Sequence, residues 1–368
     1  DGMDLNAHIF NNPYDVDVFI LDACDNGSAV AYGNYTATLS GASSGTYYIV
    51  VDGYNGAVSN FDLAITLSGE PNLTHYPHTG WTYPVVPRDT VGSTWGDCAL
   101  PPELPGNGDT YLNMAGTNDG NDTTEAPFAH MFSIDDVDVL SGTWSGHIAP
   151  GWGIMHGNAG PVTVKGGRHT LADMIDIYDD IPESNEGDNY YERQFVWSPY
   201  VLSKETPVMR TPPPSPGSGA YPNSDGFQFT RTGYVAYGSA VASQNAADDY
   251  DLRLYLDYSG SESGFSVLGD VSTYASGYTD FVVAAYFGTQ PTSYPAITLY
   301  VGGAGVFYVD ATDAMGRTFS SYPVNLMNEH LDAQRLLNVY EFSLVVDSSY
   351  DFYLENVSGN ADLGFALY

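Results

Sequence analysis

The chain has 368 residues, of which 43% are hydrophobic and 14% aromatic, so it can fill several domain cores. It carries 45 acidic against 10 basic residues, a net charge of −35, and such a surface repels nucleic acid and anionic membranes. No run of about 18 apolar residues occurs, so we also exclude membrane insertion. The 40 glycines and 30 tyrosines favour strands joined by many turns, which predicts an all-β protein.

The first 70 residues contain four stretches in which polar and apolar residues alternate. They are MDLNAHIF (3–10), YDVDVFILD (14–22), GTYYIVVDGYNG (45–56) and NFDLAITL (60–67). Alternation with a period of two is typical of strands that are buried on one face. Only thirteen residues precede the second stretch, which is too few for the strands that would complete a sandwich. We therefore predict that residues 1–70 form the C-terminal half of a β-sandwich.

A Pro-rich segment, residues 204–222, contains TPPPSPGSG and predicts an extended, semi-rigid linker. Residues 223–315 then repeat the pattern of the first unit, with both halves present, which predicts a complete sandwich. The strand-like stretches are GFQFTRTGYVAYGSAVAS (226–243), YDLRLYLDY (250–258), YTDFVVAAYFG (278–288) and YPAITLYVG (294–302).

The strand pattern of the last unit, residues 316–368, ends at the point in the sandwich at which the pattern of the first unit begins. NVYEFSLVVDSSYDFYLENVS (338–358) matches residues 226–243 in pattern, ADLGFALY (361–368) matches the first strands, and nothing follows. We predict that it is the N-terminal half of a sandwich. Joined, residues 336–368 and 1–69 would make one complete domain.

Part of this pattern resembles a known bacterial domain. The run DVDVFILD…GTYYIVVDGYNG…FDLAITL is similar to the pre-peptidase C-terminal (PPC) domain, a small jelly-roll-like β-sandwich, and residues 216–312 resemble a more divergent copy. That family is appended to secreted peptidases and surface proteins, so the resemblance implies an extracellular bacterial protein. In the family both halves are contiguous, whereas here they lie at opposite ends of the chain.

The middle of the chain resembles another bacterial family. RHTLADMIDIYDDIPESNEGDNYYERQFVWSP (168–199) is similar to the end of the cell-adhesion-related domain called CARDB, in which a strand ending in Asp leads through an acidic loop to a final strand. The resemblance implies a strand at residues 171–178, the loop at 179–189 and the final strand at 190–197. PNLTHY (71–76) and the strand-like residues 109–114 fit the same domain, so the resemblance implies an immunoglobulin-like fold for residues 71–203. The expected fold is all-β, with tandem jelly-roll-like and immunoglobulin-like sandwiches and a split sandwich shared between the two chain ends.

Two common enzyme motifs are missing from the sequence. There is no H-E-x-x-H and no G-x-x-x-x-G-K-[ST], and the eight histidines are scattered. His75 and His78 are spaced to hold a metal, but they lie in a Pro-rich stretch. A triad built from distant residues leaves no local motif, so that alternative stays open. We predict that the protein is not an enzyme.

Acidic clusters are the best chemical candidates, because calcium prefers six to eight hard oxygen ligands. A smaller group, Asp248, Asp249 and Asp251, lies in the third unit. The alternative is a solvated loop or carboxylates that cap turns. We predict a calcium site at the acidic loop, with the candidate ligands Asp179, Asp180, Glu183, Glu186 and Asp188.

Other features fit life outside the cell. The chain starts at Asp1 without a signal peptide and is expected to be a processed form. Cys24 and Cys98 are the only cysteines and are the disulfide candidates in an oxidising exterior. The many tyrosines fit a carbohydrate-binding groove or, alternatively, ordinary strands. N-x-S/T sequons offer glycosylation sites at Asn34, Asn72, Asn121 and Asn356.

Two functional hypotheses follow. In the first, the chain is a subunit of an extracellular filament or surface polymer, and copies join head to tail by completing the split sandwich. In the second, it is an accessory or adhesion fragment of a larger secreted peptidase or adhesin. Closure of the split sandwich within one chain is a third possibility.

The first hypothesis names the positions that should meet across the interface. From the C-terminal half these are Val339, Phe342, Leu344, Phe352, Leu354, Leu363, Phe365 and Leu367. Opposite them, in a neighbouring chain, we expect Val16, Val18, Ile20, Tyr48, Val50, Leu63 and Ile65.

Overall fold

The computed structural model describes residues 3–11, 16–25, 27–53, 56, 58, 60–93, 96–211, 223–284, 291–301, 305–327, 329–332 and 335–354. Within these residues the regular structure is 25 strands and a single-turn helix. The strands form several mainly antiparallel sheets that pack as consecutive sandwiches. The prediction of an all-β chain of tandem sandwiches is confirmed.

Six strands build the N-terminal sandwich: β1 (Met3–Phe10), β2 (Val16–Leu21), β3 (Ala29–Asn34), β4 (Thr36–Ala42), β5 (Tyr48–Gly53) and β6 (Asp62–Ser68). They form two three-stranded sheets, in the orders β4-β1-β6 and β3-β2-β5. The central strands β1 and β2 alternate buried and less buried residues, as the sequence pattern predicts. Their buried residues form the core between the sheets: Leu5, Ala7, Ile9, Val16, Val18 and Ile20.

Eight strands build the middle sandwich: β7 (Leu73–His75), β8 (Val85–Arg88), β9 (Asp109–Asn118), β10 (Phe128–Ile134), β11 (Val137–Trp144), β12 (Gly153–Thr163), β13 (Gly167–Ile175) and β14 (Tyr190–Trp197). One sheet contains β12, β9, β7 and β8, and the facing sheet contains β11, β10, β13 and β14. The core between them combines aliphatic side chains with aromatic ones, including Phe128, Phe132 and Phe195. The buried indole N–H of Trp197 donates to the Thr110 hydroxyl at 3.0 Å, so the ring keeps its polar partner.

The strands that flank the acidic loop match the prediction to different degrees. β14 covers residues 190–197, as predicted, whereas β13 covers 167–175 instead of 171–178. β13 ends early because Asp176 adopts a left-handed φ of 49°. Its carboxylate then accepts the N–H groups of Asp180 and Ile181, which turns the chain out of the sheet.

Nine strands and a short helix follow: β15 (Tyr200–Val201), β16 (Val208–Arg210), β17 (Ser224–Thr230), β18 (Tyr237–Ser243), β19 (Asp249–Tyr255), α1 (Gly260–Ser263), β20 (Leu268–Ser272), β21 (Asp280–Ala284), β22 (Thr292–Val301) and β23 (Phe307–Asp313). The third sandwich packs the order β17-β22-β19-β20 against β16-β23-β18-β21. β16 belongs to the predicted linker, so this part of it is a paired strand and not a free spacer. Residues 212–222 of the linker lie outside the described residues.

The middle and third sandwiches share one nine-stranded sheet. β13 pairs with β10 over most of its length, and its first residues, Gly167 and Arg168, pair with Asp225 and Ser224 of β17. The Arg168 guanidinium donates to the Phe265 carbonyl at 3.1 Å. An apolar cluster spans the same junction: Val196, Tyr255, Phe265 and Ala296.

Buried charge adds to this junction. The Asp225 carboxylate is fully enclosed and lies 3.8 Å from Lys165 Nζ and 3.5 Å from Arg210 Nε. Burial raises the pKa of Asp225, and the two cations oppose that rise. The two cations come from opposite sides of the junction, because Lys165 precedes β13 and Arg210 lies in β16.

The C-terminal segment, residues 316–354, packs partly on the third sandwich. Leu337 and Val339 cover the outer face of β18 and β21, and the Leu336 N–H donates to Asp310 at 2.9 Å. β24 (Thr318–Phe319) and β25 (Glu341–Phe342) form a short parallel pair. Among the described residues no sheet contains strands from both the N-terminal sandwich and this segment.

Candidate functional site

One side of the N-terminal sandwich is closed and the opposite side is open. On the closed side β3 turns directly into β4 at Tyr35 (φ 64°), whose carbonyl accepts the Ile9 N–H at 2.7 Å. On the open side, β5 and β6 are the last strands of their sheets, and neither pairs with a further described strand. Each therefore presents an unpaired row of backbone N–H and C=O groups.

An apolar stripe lines this open side. Leu63, Ile65 and Leu67 of β6 lie directly opposite the buried residues of β1, so they share the core face of the sheet. They are nevertheless 38%, 54% and 61% exposed. The core of the N-terminal sandwich is thus uncovered along β6, which we call the open edge.

The register of β5 contradicts two of the predicted interface positions. β5 pairs Val51 with Val18 and Ile49 with Ile20, so Ile49 and Val51 face the core. Tyr48 and Val50 point to the opposite face, and their assignment to the interface was wrong by one residue. Five consecutive apolar residues, YYIVV, hide the alternation at this point. The predicted positions Val16, Val18 and Ile20 are buried core residues.

The C-terminal positions divide into four groups. Val339 is buried against the third sandwich of its own chain, so its predicted contact with a neighbour was wrong. Phe342 lies 5.5 Å from the Phe352 ring, centroid to centroid, and both are half-buried. Leu344 and Leu354 are 49% and 45% exposed. The predicted positions Leu363, Phe365 and Leu367 lie outside the described residues.

The carboxylates of the acidic loop differ in their burial. Asp179, Asp180 and Glu186 are exposed, whereas the Glu183 carboxylate is buried. Glu183 accepts the Leu73 N–H and, at 2.9 Å, the Asn189 side-chain amide. Burial raises the pKa of Glu183 to about 7, although these hydrogen bonds oppose the rise. The loop is therefore anchored to the start of β7 through a residue predicted as a calcium ligand.

A second acidic group lies on the third sandwich. Carboxylate oxygens of Asp249, Asp251 and Asp280 all lie within 4.8 Å of one another. Burial, and then repulsion from Asp280 and Asp249, raises the pKa of Asp251 to about 6. Asp248, the third member of the sequence prediction, instead accepts the Gly305 N–H at 2.9 Å. The sequence missed Asp280, which opens β21 more than twenty residues further along.

A buried histidine network in the middle sandwich had no signal in the sequence. His130 bonds Asp173 at 2.6 Å and His156 at 2.7 Å, and His75 bonds the other Asp173 oxygen at 3.0 Å. Burial, together with the nearby His130, lowers the pKa of His156. The members come from four strands, and their hydrogen bonds satisfy both oxygens of one buried carboxylate. His78 is separate and lies 3.2 Å from the Ile154 carbonyl.

The two cysteines are free, so the predicted disulfide is not formed. Cys24 lies in an exposed turn of the N-terminal sandwich, whereas Cys98 is enclosed with Trp81 and Val86 in a small apolar cluster of the middle sandwich. Burial raises the pKa of the Cys98 thiol to about 11. The two cysteines therefore lie in separate sandwiches.

We expect one thiol to react with a thiol reagent in the folded protein and two in the unfolded protein, because only Cys24 is accessible and thiolate formation at Cys98 is suppressed. Absorbance titration with a chromogenic disulfide reagent, without reductant, measures both numbers. Two unreactive cysteines after unfolding would show that a disulfide exists.

The sequons differ in accessibility. Asn34 is exposed at the end of β3. Asn72 is buried and its amide donates to Asp119 at 2.7 Å and to Asp188 at 3.2 Å, so its prediction as a glycan site was wrong. Asn121 is half-buried and accepts the Glu70 N–H. Asn356 lies outside the described residues.

Among the described residues, no helix has the length and apolar character needed to cross a membrane.

Comparisons with known proteins give only distant likenesses. No family model and no curated protein matches the chain. Among solved structures, the CARDB domain of a Pyrococcus furiosus protein in complex with di-metal ions aligns at 13% identity and a TM-score of 0.25, over 35% of this chain and 94% of that one. The secreted serine protease VesC of Vibrio cholerae aligns at 9% identity and a TM-score of 0.24, over 57% of this chain and 48% of that one. At these TM-scores neither likeness supports an argument about this chain.

Proposed function

We propose that the chain is a non-catalytic structural subunit of an extracellular, cell-surface polymer. Copies join head to tail when the C-terminal residues of one subunit add strands to the open edge of the next. The contact is heterologous, because the donor and acceptor surfaces differ, and heterologous contacts that do not close produce fibres. We also propose calcium as the cation that this acidic chain binds, since carboxylate and amide oxygens are hard ligands.

The open edge is the observation that carries the proposal. It combines an unpaired strand with three apolar side chains on the core face, at 38% to 61% exposure. Burying an apolar side chain of this kind gains about 1.5–3 kcal/mol, so covering the stripe is favourable. An added strand would satisfy the backbone edge and the apolar stripe together.

We place the donor in the C-terminal residues that follow the contact with the third sandwich. Val339 is the last described residue that is buried on that sandwich. Beyond Phe342, residues 343–354 form no strand, and Leu344, Val345 and Val346 are 49%, 67% and 84% exposed. The sequence of residues 361–368, ADLGFALY, places apolar residues at alternate positions, as a strand that covers one apolar face requires.

A charge placed on the stripe should block assembly. We expect Ile65→Asp to convert polymers into monomers, because the aspartate would be desolvated under an added strand. Thr66→Asp is the matched control, since Thr66 is the exposed neighbour on the opposite face of the same strand. Light scattering coupled to size-exclusion chromatography and negative-stain microscopy measure the outcome.

The same measurement separates the alternatives. Polymers that survive Ile65→Asp would refute assembly through the open edge. A wild-type chain that stays monomeric at every concentration would refute the polymer. A stable wild-type monomer would point to closure within one chain. A chain that degrades without assembling would point to a fragment of a larger secreted peptidase or adhesin.

A further inference from the structure

Three buried side-chain oxygen atoms without a hydrogen-bond partner belong to residues where the acidic loop contacts the start of β7. They are Oδ1 of Asn72, Oδ1 of Asp188 and Oδ1 of Asn189. Asn72 and Asn189 are 7% and 3% exposed, so exposure to bulk water does not satisfy them. An unsatisfied buried acceptor costs about 1–3 kcal/mol, and three on one hydrogen-bonded group of residues require an explanation.

Hydrogen bonds bring these residues together from distant parts of the chain. The Asn72 amide donates to Asp188 at 3.2 Å and to Asp119 at 2.7 Å. The Asn189 amide donates to Glu183, and the same carboxylate accepts the N–H of Leu73, next to Asn72. Asp188 and Asn189 are neighbours in the loop, so the groups form one clasp between β7, the end of β9 and the acidic loop.

The orientation of both amides follows from their partners. An ionised carboxylate accepts hydrogen bonds and cannot donate them. The NH₂ group of Asn72 therefore faces Asp119 and Asp188. The NH₂ group of Asn189 faces Glu183 for the same reason. The amide oxygens of both residues are then the atoms left over. All three leftover atoms at the clasp are acceptors, which a cation satisfies directly.

A bound water would serve this site less well than a cation. One water offers two hydrogens to three acceptors and adds no positive charge. The clasp also contains the carboxylates of Asp119, Glu183 and Asp188. The charged groups that act on Glu183 are Glu186 and Asp176, and both repel it. The electrostatic environment therefore favours a cation.

We propose that Asn72, Asp188 and Asn189 bind a calcium ion through these three oxygens, with Asp119 and Glu183 orienting the amides. Two amide oxygens and a carboxylate on a loop suit calcium, which tolerates irregular coordination and completes its shell with water. Magnesium demands regular octahedral geometry and dehydrates reluctantly. The assignment rests on the calcium part of the proposed function, and it replaces the exposed Asp179, Asp180 and Glu186 as ligands.

Calorimetric titration of the full chain with calcium chloride, after treatment with chelator, tests the site. We expect Asp188→Asn to weaken calcium binding at least ten-fold, because it removes the only charge among the three ligands. Asp180→Asn is the matched control, since it removes the same charge from the exposed part of the same loop, and it should change the affinity less than two-fold. Magnesium chloride should bind more weakly than calcium chloride.

Hydrogen exchange on the wild-type chain gives a readout that does not depend on a variant folding. Calcium should slow amide exchange at residues 72–73 and 183–189 and leave residues 249–251 and 280 unchanged. Binding that survives Asp188→Asn, or protection confined to the Asp249, Asp251 and Asp280 group, would overturn this site and leave the calcium proposal intact. A wild-type chain that binds no calcium would refute both.

Discussion

Chains that lack residues 343–368 should remain monomeric at concentrations at which the full chain forms polymers. The deletion begins after Phe342, so Leu337 and Val339 keep their places on the third sandwich. It removes the residues proposed to cover Leu63, Ile65 and Leu67 of a neighbour. Light scattering should report one subunit mass, and circular dichroism should retain the β signal of all three sandwiches.

A peptide of residues 343–368 provides the control for this deletion. Added in excess, it should bind the truncated chain one to one and slow amide exchange in β6, because it supplies the missing strand in trans. The same peptide with Leu363, Phe365 and Leu367 replaced by aspartate should not bind. Truncated chains that still assemble into the same polymer would contradict the donor assignment.

Gly167→Ala should destabilise the joined middle and third sandwiches by about 3 kcal/mol or more. Gly167 has a φ of 132°, which residues with a side chain rarely adopt, and an added Cβ would clash with the Ser224 carbonyl oxygen. In the wild type we expect both sandwiches to unfold in one transition, because they share a sheet and an apolar cluster. The variant should lower the melting temperature by about 10 °C and separate two transitions.

Gly151→Ala is the matched control for this effect. Gly151 has a φ of 76°, and an added Cβ would contact nothing within 4 Å. It should therefore cost only the backbone strain, about 1 kcal/mol. Differential scanning calorimetry measures both variants. Equal effects of the two substitutions would show that the junction does not couple the sandwiches.

The contacts of the candidate functional residues could not be predicted from single segments of the sequence. The sequence of the acidic loop predicted a cation site with the ligands Asp179, Asp180, Glu183, Glu186 and Asp188. The clasp instead pairs Asp188 with Asn72, which lies 116 residues earlier and reads in the sequence as a glycosylation site. The buried histidine network likewise joins four strands whose histidines are scattered in the sequence.

The sequence by itself determined the fold class and the positions of most strands, because alternation of polar and apolar residues is a local property of each segment. β14 and the strands around residues 3–10 and 62–68 follow directly from it. Only the tertiary structure decided which face Tyr48 and Val50 occupy, that β13 continues into β17, and that Val339 packs on its own chain. These depend on register and on contacts between segments far apart in the chain, which local patterns do not encode.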